Sequence, residues 1–120
     1  MQLTIVSRNA MCNAFVDLLN SGTIVFETSG DAEVATCTFA SMAFGDASTG
    51  VATANTITDD SSATGGTVDH AVLVGAASTE FAELTCTVTG GGGDIQLTST
   101  TIGAGDTVSI TSLTMTMPSS

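Results

Sequence analysis

One imidazole, three thiols and twelve carboxylates are nearly all the reactive side chains of this 120-residue sequence, and a single Arg or Lys stands against them. His70 directly follows Asp69, the carboxylate–imidazole pairing that general-base chemistry uses. Both fall in a predicted strand over 67–74, where neighbouring side chains point to opposite faces, so the two are expected not to touch. His70 then reads as a partly exposed strand residue, and neither a Gly-x-Ser-x-Gly elbow nor a comparable nucleophile signature accompanies it. Cys12, Cys37 and Cys86 together with His70 have the composition of a zinc site without its paired Cys-x-x-Cys spacing. An odd set of widely spaced thiols fits buried, reduced core residues better than a disulfide framework.

Oxygen ligands gather at Asp59-Asp60-Ser61-Ser62, and Asp94 and Asp106 each follow glycine-rich turns. Calcium is the cation that could use such groups, which makes Asp59 and Asp60 the candidate ligands. Neither the EF-hand spacing nor a glycine–aspartate repeat is present, so these residues are expected to act as turn aspartates hydrogen-bonding their own backbone. Gly90 to Gly93 lacks the Lys and the following helix of a phosphate loop and reads as a flexible hairpin connection. These side chains predict no enzyme, no cofactor and no resident metal.

The elements that must carry these groups can be read from composition and pattern. A hydrophobic share of 42% and a mean hydropathy of +0.42 supply one core, and the length suits a single domain over 1–120. A formal charge of −11 with no Lys leaves no means of building a phosphate-binding surface, so nucleic acid is excluded as a partner. No stretch has the length of a membrane span, and the first residues lack the basic and apolar regions of a signal peptide. The expectation is a soluble protein made in a cytoplasm.

Met11, Ala14, Phe15, Leu18 and Leu19 recur at helical spacing and predict a helix over about 8–19 with an apolar stripe, Ser7 as N-cap and Gly22 in the left-handed conformation after the exit. Beyond it the chain is rich in Thr, 22 in all, and in β-branched residues broken by Gly, Asp, Ser and Asn, a strand composition. Strands are predicted at about 2–6, 23–28, 34–40, 51–58, 67–74, 80–89, 95–99 and 107–117, with mobile loops at 59–66 and 90–94. Between Ile110 and Leu113 the alternation slips by one residue, which predicts a bulge near Thr111-Ser112, and Pro118 ends the pairing. The fold class is mainly β: a single antiparallel β-sandwich or barrel-like domain of seven or eight short strands with one N-terminal α-helix packed on it.

Surfaces of Thr, Ser and scattered acids suit association more than catalysis. Strand rims with so little Lys and Arg lack the positive charge that discourages edge pairing, and Met1 to Val6 forms an apolar extended segment. Leu3, Ile5 and Val6 are therefore expected to add as a strand to a sheet, their own or a neighbour's. With Asp59, Asp60, Met115 and Met117 they make up the candidate contact residues.

Three stretches carry a resemblance to a known family: the helix from Ser7-Arg8-Asn9-Ala10 to Asp17-Leu18-Leu19, the run FGDASTGVATANTITDDSSATGGTVDHAVL from Phe44 to Leu73, and the ending DIQLTSTTIGAGDTVSITSLTMTMP from Asp94 to Pro118. Over nearly its whole length the chain resembles small proteins encoded beside virion structural genes in tailed bacteriophages and prophages. Where that family carries an aromatic after Gly66, Val68-Asp69-His70-Ala71 stand here. The resemblance implies a non-enzymatic virion component, first of all a head decoration or cement protein on the capsid surface. Its partner would be the major capsid protein, with a homo-oligomer, a trimer among the options, bridging subunits. A tail or neck component is the alternative, and a carbohydrate-binding β-sandwich on the particle is disfavoured because such platforms use Trp and Tyr, both absent here.

Overall fold

Thr4, in extended backbone, caps the helix: its Oγ1 accepts from the Ser7 amide at 3.2 Å and so satisfies a donor that the first turn leaves free. In a computed structural model of the chain, which describes residues 1–119, the helix α1 therefore spans Ile5–Asp17, three residues earlier than the apolar periodicity predicts. The expected strand over 2–6 is corrected accordingly. Ile5 and Val6 open the helix, and Leu3 keeps one backbone hydrogen bond, its amide donating to Ser119 at 2.7 Å. Ser7 is the third helical residue, not the cap.

Nine strands follow among the described residues: β1 Thr23–Glu27, β2 Glu33–Thr38, β3 Val51–Thr53, β4 Gly66–Thr67, β5 His70–Val74, β6 Glu80–Val88, β7 Ile95–Leu97, β8 Thr101–Ile102 and β9 Thr114–Thr116. A five-stranded sheet runs in the order β2-β1-β5-β6-β7, while β3 pairs with β9 and β4 with β8. The chain is thus mainly β with an N-terminal helix, and its large sheet is mixed, because β7 runs parallel to β6. An all-antiparallel sheet is corrected by that pairing.

Alternation decides which face of the large sheet is buried. Ile24 and Phe26 of β1 lie opposite Leu73 and Ala71 of β5, and all four are fully buried. Thr23, Val25 and Glu27 point the other way, alongside Val74, Val72 and His70. The core continues through Val34, Cys37, Phe39, Phe44, Ile57 and Leu113 to Cys12, Val16 and Leu19 of the helix region. The predicted strand over 107–117 is divided: Val108 bridges Asp60, residues 109–113 are irregular, and only 114–116 pair with β3. The parity slip in the sequence marks this change of partner, not a bulge within one strand.

Helix α1 turns only part of the predicted stripe inward. Leu19, just beyond it, is fully buried and Phe15 packs half-buried against the core, whereas Met11 and Leu18 are 43% and 46% exposed and Ala14 is exposed as well. The inward face carries Arg8, Asn9, Cys12, Asn13 and Val16, because its task is to hold backbone. Asn9 Oδ1 accepts from the Gly50 amide and Asn13 Oδ1 from the Ala47 amide, each at 2.8 Å; beyond the helix Asn20 Oδ1 accepts from Ala43 at 2.9 Å. Arg8 donates through Nε and Nη2 to the Met117 carbonyl at 3.2 and 2.9 Å, and the Cys12 thiol donates to the Met115 carbonyl at 3.4 Å. Loop 43–50 and the last strand are thereby fastened to the helix, each neutral bond adding about 1 kcal/mol and the guanidinium pair about 1.5–3 kcal/mol.

The left-handed residue at the helix exit is Ser21, with φ of 57°, and not Gly22. Gly22 is required by proximity instead, since a Cβ there would stand 2.1 Å from the Val74 carbonyl oxygen. The Gly90–Gly93 run has a similar reason. It turns the chain back so that β7 lies parallel to β6 after a connection far shorter than a usual crossover. Added Cβ atoms at Gly91 and Gly93 would meet Thr87 at 2.7 and 2.9 Å, so the loop is seated on the sheet and is not a hairpin connection. Substituting Gly22→Ala is expected to cost about 3 kcal/mol or more in urea unfolding, since backbone on both sides must move. Gly30→Ala, where the nearest atom is 3.9 Å away, is expected to stay within about 0.5 kcal/mol.

Candidate functional site

His70 is the first residue of β5 and lies directly across from Glu27, the last residue of β1. This cross-strand register sets the imidazole beside a carboxylate on the outer sheet face, with Nε2 3.0 Å from Glu27 Oε1. The β1–β2 turn brings up Asp31, whose Oδ1 is 3.2 Å from the same nitrogen. The Thr28 side chain shapes this turn by accepting from the Gly30 and Ala32 amides, and Asp31 takes φ of 66° within it. On the other side Asp69 Oδ2 lies 2.9 Å from Nδ1. The imidazole is therefore enclosed by three carboxylates, with its side chain 9% exposed.

Contact between Asp69 and His70 corrects the expectation from alternation. Alternation applies within a strand, and Asp69 is outside one: β4 ends at Thr67, β5 begins at His70, and Val68 and Asp69 form the corner between two sheets. At a corner adjacent side chains can face the same way. Burial of His70 also replaces the expected partial exposure. The partners Glu27 and Asp31 lie far from His70 in sequence, and only the β1–β5 register, which composition does not specify, brings them together.

The other candidate residues have structural tasks. Both Asp60 oxygens accept from backbone amides, Oδ2 from Thr36 at 2.8 Å and Oδ1 from Ser62 at 2.9 Å, as a turn aspartate does. Asp59 is exposed and lines an open groove of about 390 Å³ with Asn55, Ile57 and Ile110. Asp94 accepts from the Thr85 amide and hydroxyl, and Asp106 from the Gly103 amide. Met115 and Met117 are half-buried against the core, and their carbonyls are the acceptors for Cys12 and Arg8. Ile5 and Val6 are 47% and 78% exposed at the start of the helix.

All three cysteines are free and buried. Burial pushes the Cys37 thiol up, and the Cys86 thiol is pushed up to about 11 by burial and by the nearby Asp94 and Asp69 charges. Thiols held protonated in this way are poor nucleophiles and poor ligands. Among the described residues, Glu27, Asp31 and His70 are the one set of three potential metal-ligating groups brought together. No helix among those residues is long and apolar enough to cross a membrane. Compared with protein families, curated proteins and solved structures, the chain finds no match in any of the three.

The hydrogen bond from Asp69 raises the His70 pKa above its ordinary 6.5, and the bond and charge of Glu27 and the charge of Glu83 add to this against the opposing effect of burial. A folded-state pKa above the unfolded one means that protonation stabilises the fold. The contribution is complete below the ordinary value and fades as pH rises through the raised one. With a single histidine in the chain, NMR can follow the imidazole without ambiguity. Its midpoint is expected above 6.5, and Asp69→Asn is expected to lower it; an unchanged midpoint in that variant would remove Asp69 as the main cause.

Proposed function

We propose that this chain is a structural component of a bacteriophage particle, a decoration protein that seats on the outside of the capsid and ties neighbouring subunits together. The observation that carries the reading is the outer side of the helix. Arg8, Asn9 and Asn13 are engaged inside the molecule, and Val6, Ala10, Met11, Ala14 and Leu18 are exposed on the outer side together with Ser7 and Asp17. Single exposed apolar residues are ordinary, but several on one helix side, here interrupted by Ser7 and Asp17, offer a contact surface. The helix is firmly backed by the Arg8 and asparagine bonds, so docking on this side would order little that is not already fixed.

The charge supports the same reading. At −11 the charge discourages non-specific self-aggregation and favours docking on a basic patch of a larger assembly. The five-stranded sheet and the two small sheets enclose one core, in keeping with a β-sandwich-like module. Set around a local symmetry axis as a trimer, such modules would bury area across subunit junctions of a shell under internal pressure. An interface of about 1,600 Å² per site is enough for a specific contact, and repetition over a lattice adds avidity.

In purified particles the protein is expected at a copy number comparable to that of the major capsid protein. A few copies at one vertex would overturn decoration in favour of a neck or tail position. Met11→Glu with Leu18→Glu is expected to abolish shell binding while leaving the melting temperature nearly unchanged, because both side chains are exposed and stand outside the core. Undiminished binding by that variant would remove the helix as the contact surface.

A further inference from the structure

Four side chains from three segments meet at one end of the outer sheet face, and neither their packing nor the proposed role in a particle explains why. We infer that Glu27, Asp31 and His70 form a binding site for a divalent transition-metal ion, with Asp69 orienting the imidazole.

The spacing of the donor atoms supports this. Nε2 lies 3.0 Å from Glu27 Oε1 and 3.2 Å from Asp31 Oδ1, and all three donor atoms fall within 4.8 Å of one another. Ligands bound tetrahedrally to zinc at about 2.0–2.1 Å stand about 3.3 Å apart, so two of the three separations already match a ligand set. The third closes with a small movement of the exposed Asp31 side chain. Two oxygens and an imidazole nitrogen suit zinc or manganese, whereas calcium and magnesium sites are built from oxygen alone. Three protein ligands leave a further coordination position for water or for a group from a partner.

The remaining imidazole nitrogen strengthens the case. A metal-bound histidine usually gives its other N–H to a carboxylate, which fixes the tautomer and raises the basicity of the ligating nitrogen. Asp69 Oδ2, 2.9 Å from Nδ1, stands where that carboxylate belongs. The imidazole is held in place by burial, with 9% of its side chain exposed. Its Nε2 faces the two carboxylates that would share the ion.

Charge balance points the same way. Glu27, Asp31 and Asp69 bring three negative charges to one imidazole, which can return one positive charge at most. Glu83 adds its field nearby. The chain has one Arg or Lys in all, and that residue, Arg8, is bound to the Met117 carbonyl. No side-chain cation is left to neutralise this corner, and a divalent ion would do so. It would also fasten Asp31 of the β1–β2 turn to the start of β5, adding to the backbone bond from the Asp69 amide to the Glu27 carbonyl.

The experiment uses the whole protein stripped with a chelator and titrated with Zn²⁺, read by calorimetry and by ¹⁵N NMR of the single imidazole. One equivalent is expected to bind, with the Nε2 resonance shifting and the melting temperature rising. Asp31→Asn, in an exposed turn that tolerates Asn at positive φ, is expected to weaken the affinity at least about tenfold, and Asp69→Asn by about 10–100-fold. Zn²⁺ that binds without moving the imidazole resonances resides elsewhere, at thiols or surface acids, and overturns the site. So does an Asp31→Asn protein with unchanged affinity, and so does the absence of binding.

Discussion

The guanidinium of Arg8 is the one basic side-chain group of fixed charge in the molecule, and the architecture depends on where it is used. It reaches across a sequence separation of 109 residues to the carbonyl of Met117 and passes over Gly50, whose φ is 80° and where an added Cβ would stand 2.7 Å from the guanidinium. Helix, loop 43–50 and last strand converge on this contact. Cys12, Asn9 and Asn13 extend it along the same side of the helix, so polar groups share the inward side with Val16 and Phe15. The outer side keeps the residues the core does not use. The apolar helix surface and the fastening of the C-terminal strand are therefore two results of one arrangement.

The same scarcity of positive charge shapes the opposite part of the fold. With Arg8 engaged, the carboxylates around His70 have only the imidazole as a counter-charge, and its raised pKa is the local response. A protein with a few lysines would have neutralised this corner with one of them. Here it stays strongly negative, and that is the physical ground for both its proton affinity and its proposed affinity for a metal ion. The proposed contact surface and the acid-rimmed histidine thus trace to a single compositional fact, twelve acids against one Arg or Lys.

Much of the strand content could be read from the sequence, since β1, β2, β5, β6 and β7 each fall within or near an alternating run bounded by turn residues. The helix could be located but not oriented. Periodicity of apolar residues assumes that the buried side of a helix packs against other apolar side chains alone, whereas here Cys12, Phe15 and Val16 share that side with Arg8, Asn9 and Asn13, which serve loop amides and a carbonyl. The predicted first strand failed for a related reason: Thr4 caps a helix more readily than Leu3, Ile5 and Val6 hold an unpaired strand. The candidate site was half legible. Asp69 and His70 could be named as a pair, but their contact depends on a corner between sheets, and Glu27 and Asp31 join them only through strand register. The turn role of Asp60 was legible because an Asx turn is local.

Joining the two ends of the chain also sets an order of events during synthesis. The helix is translated about 100 residues ahead of Met115 and Met117, whose carbonyls hold its inner side. At about 5–20 residues per second the interval between them is on the order of 5–20 s. Throughout that time the asparagines and Arg8 have no loop and strand to hold, and both sides of the helix are open to other molecules. The nascent domain is thus left unlatched until Met117 has emerged, and a chaperone that shields the helix would act on the segment that waits longest.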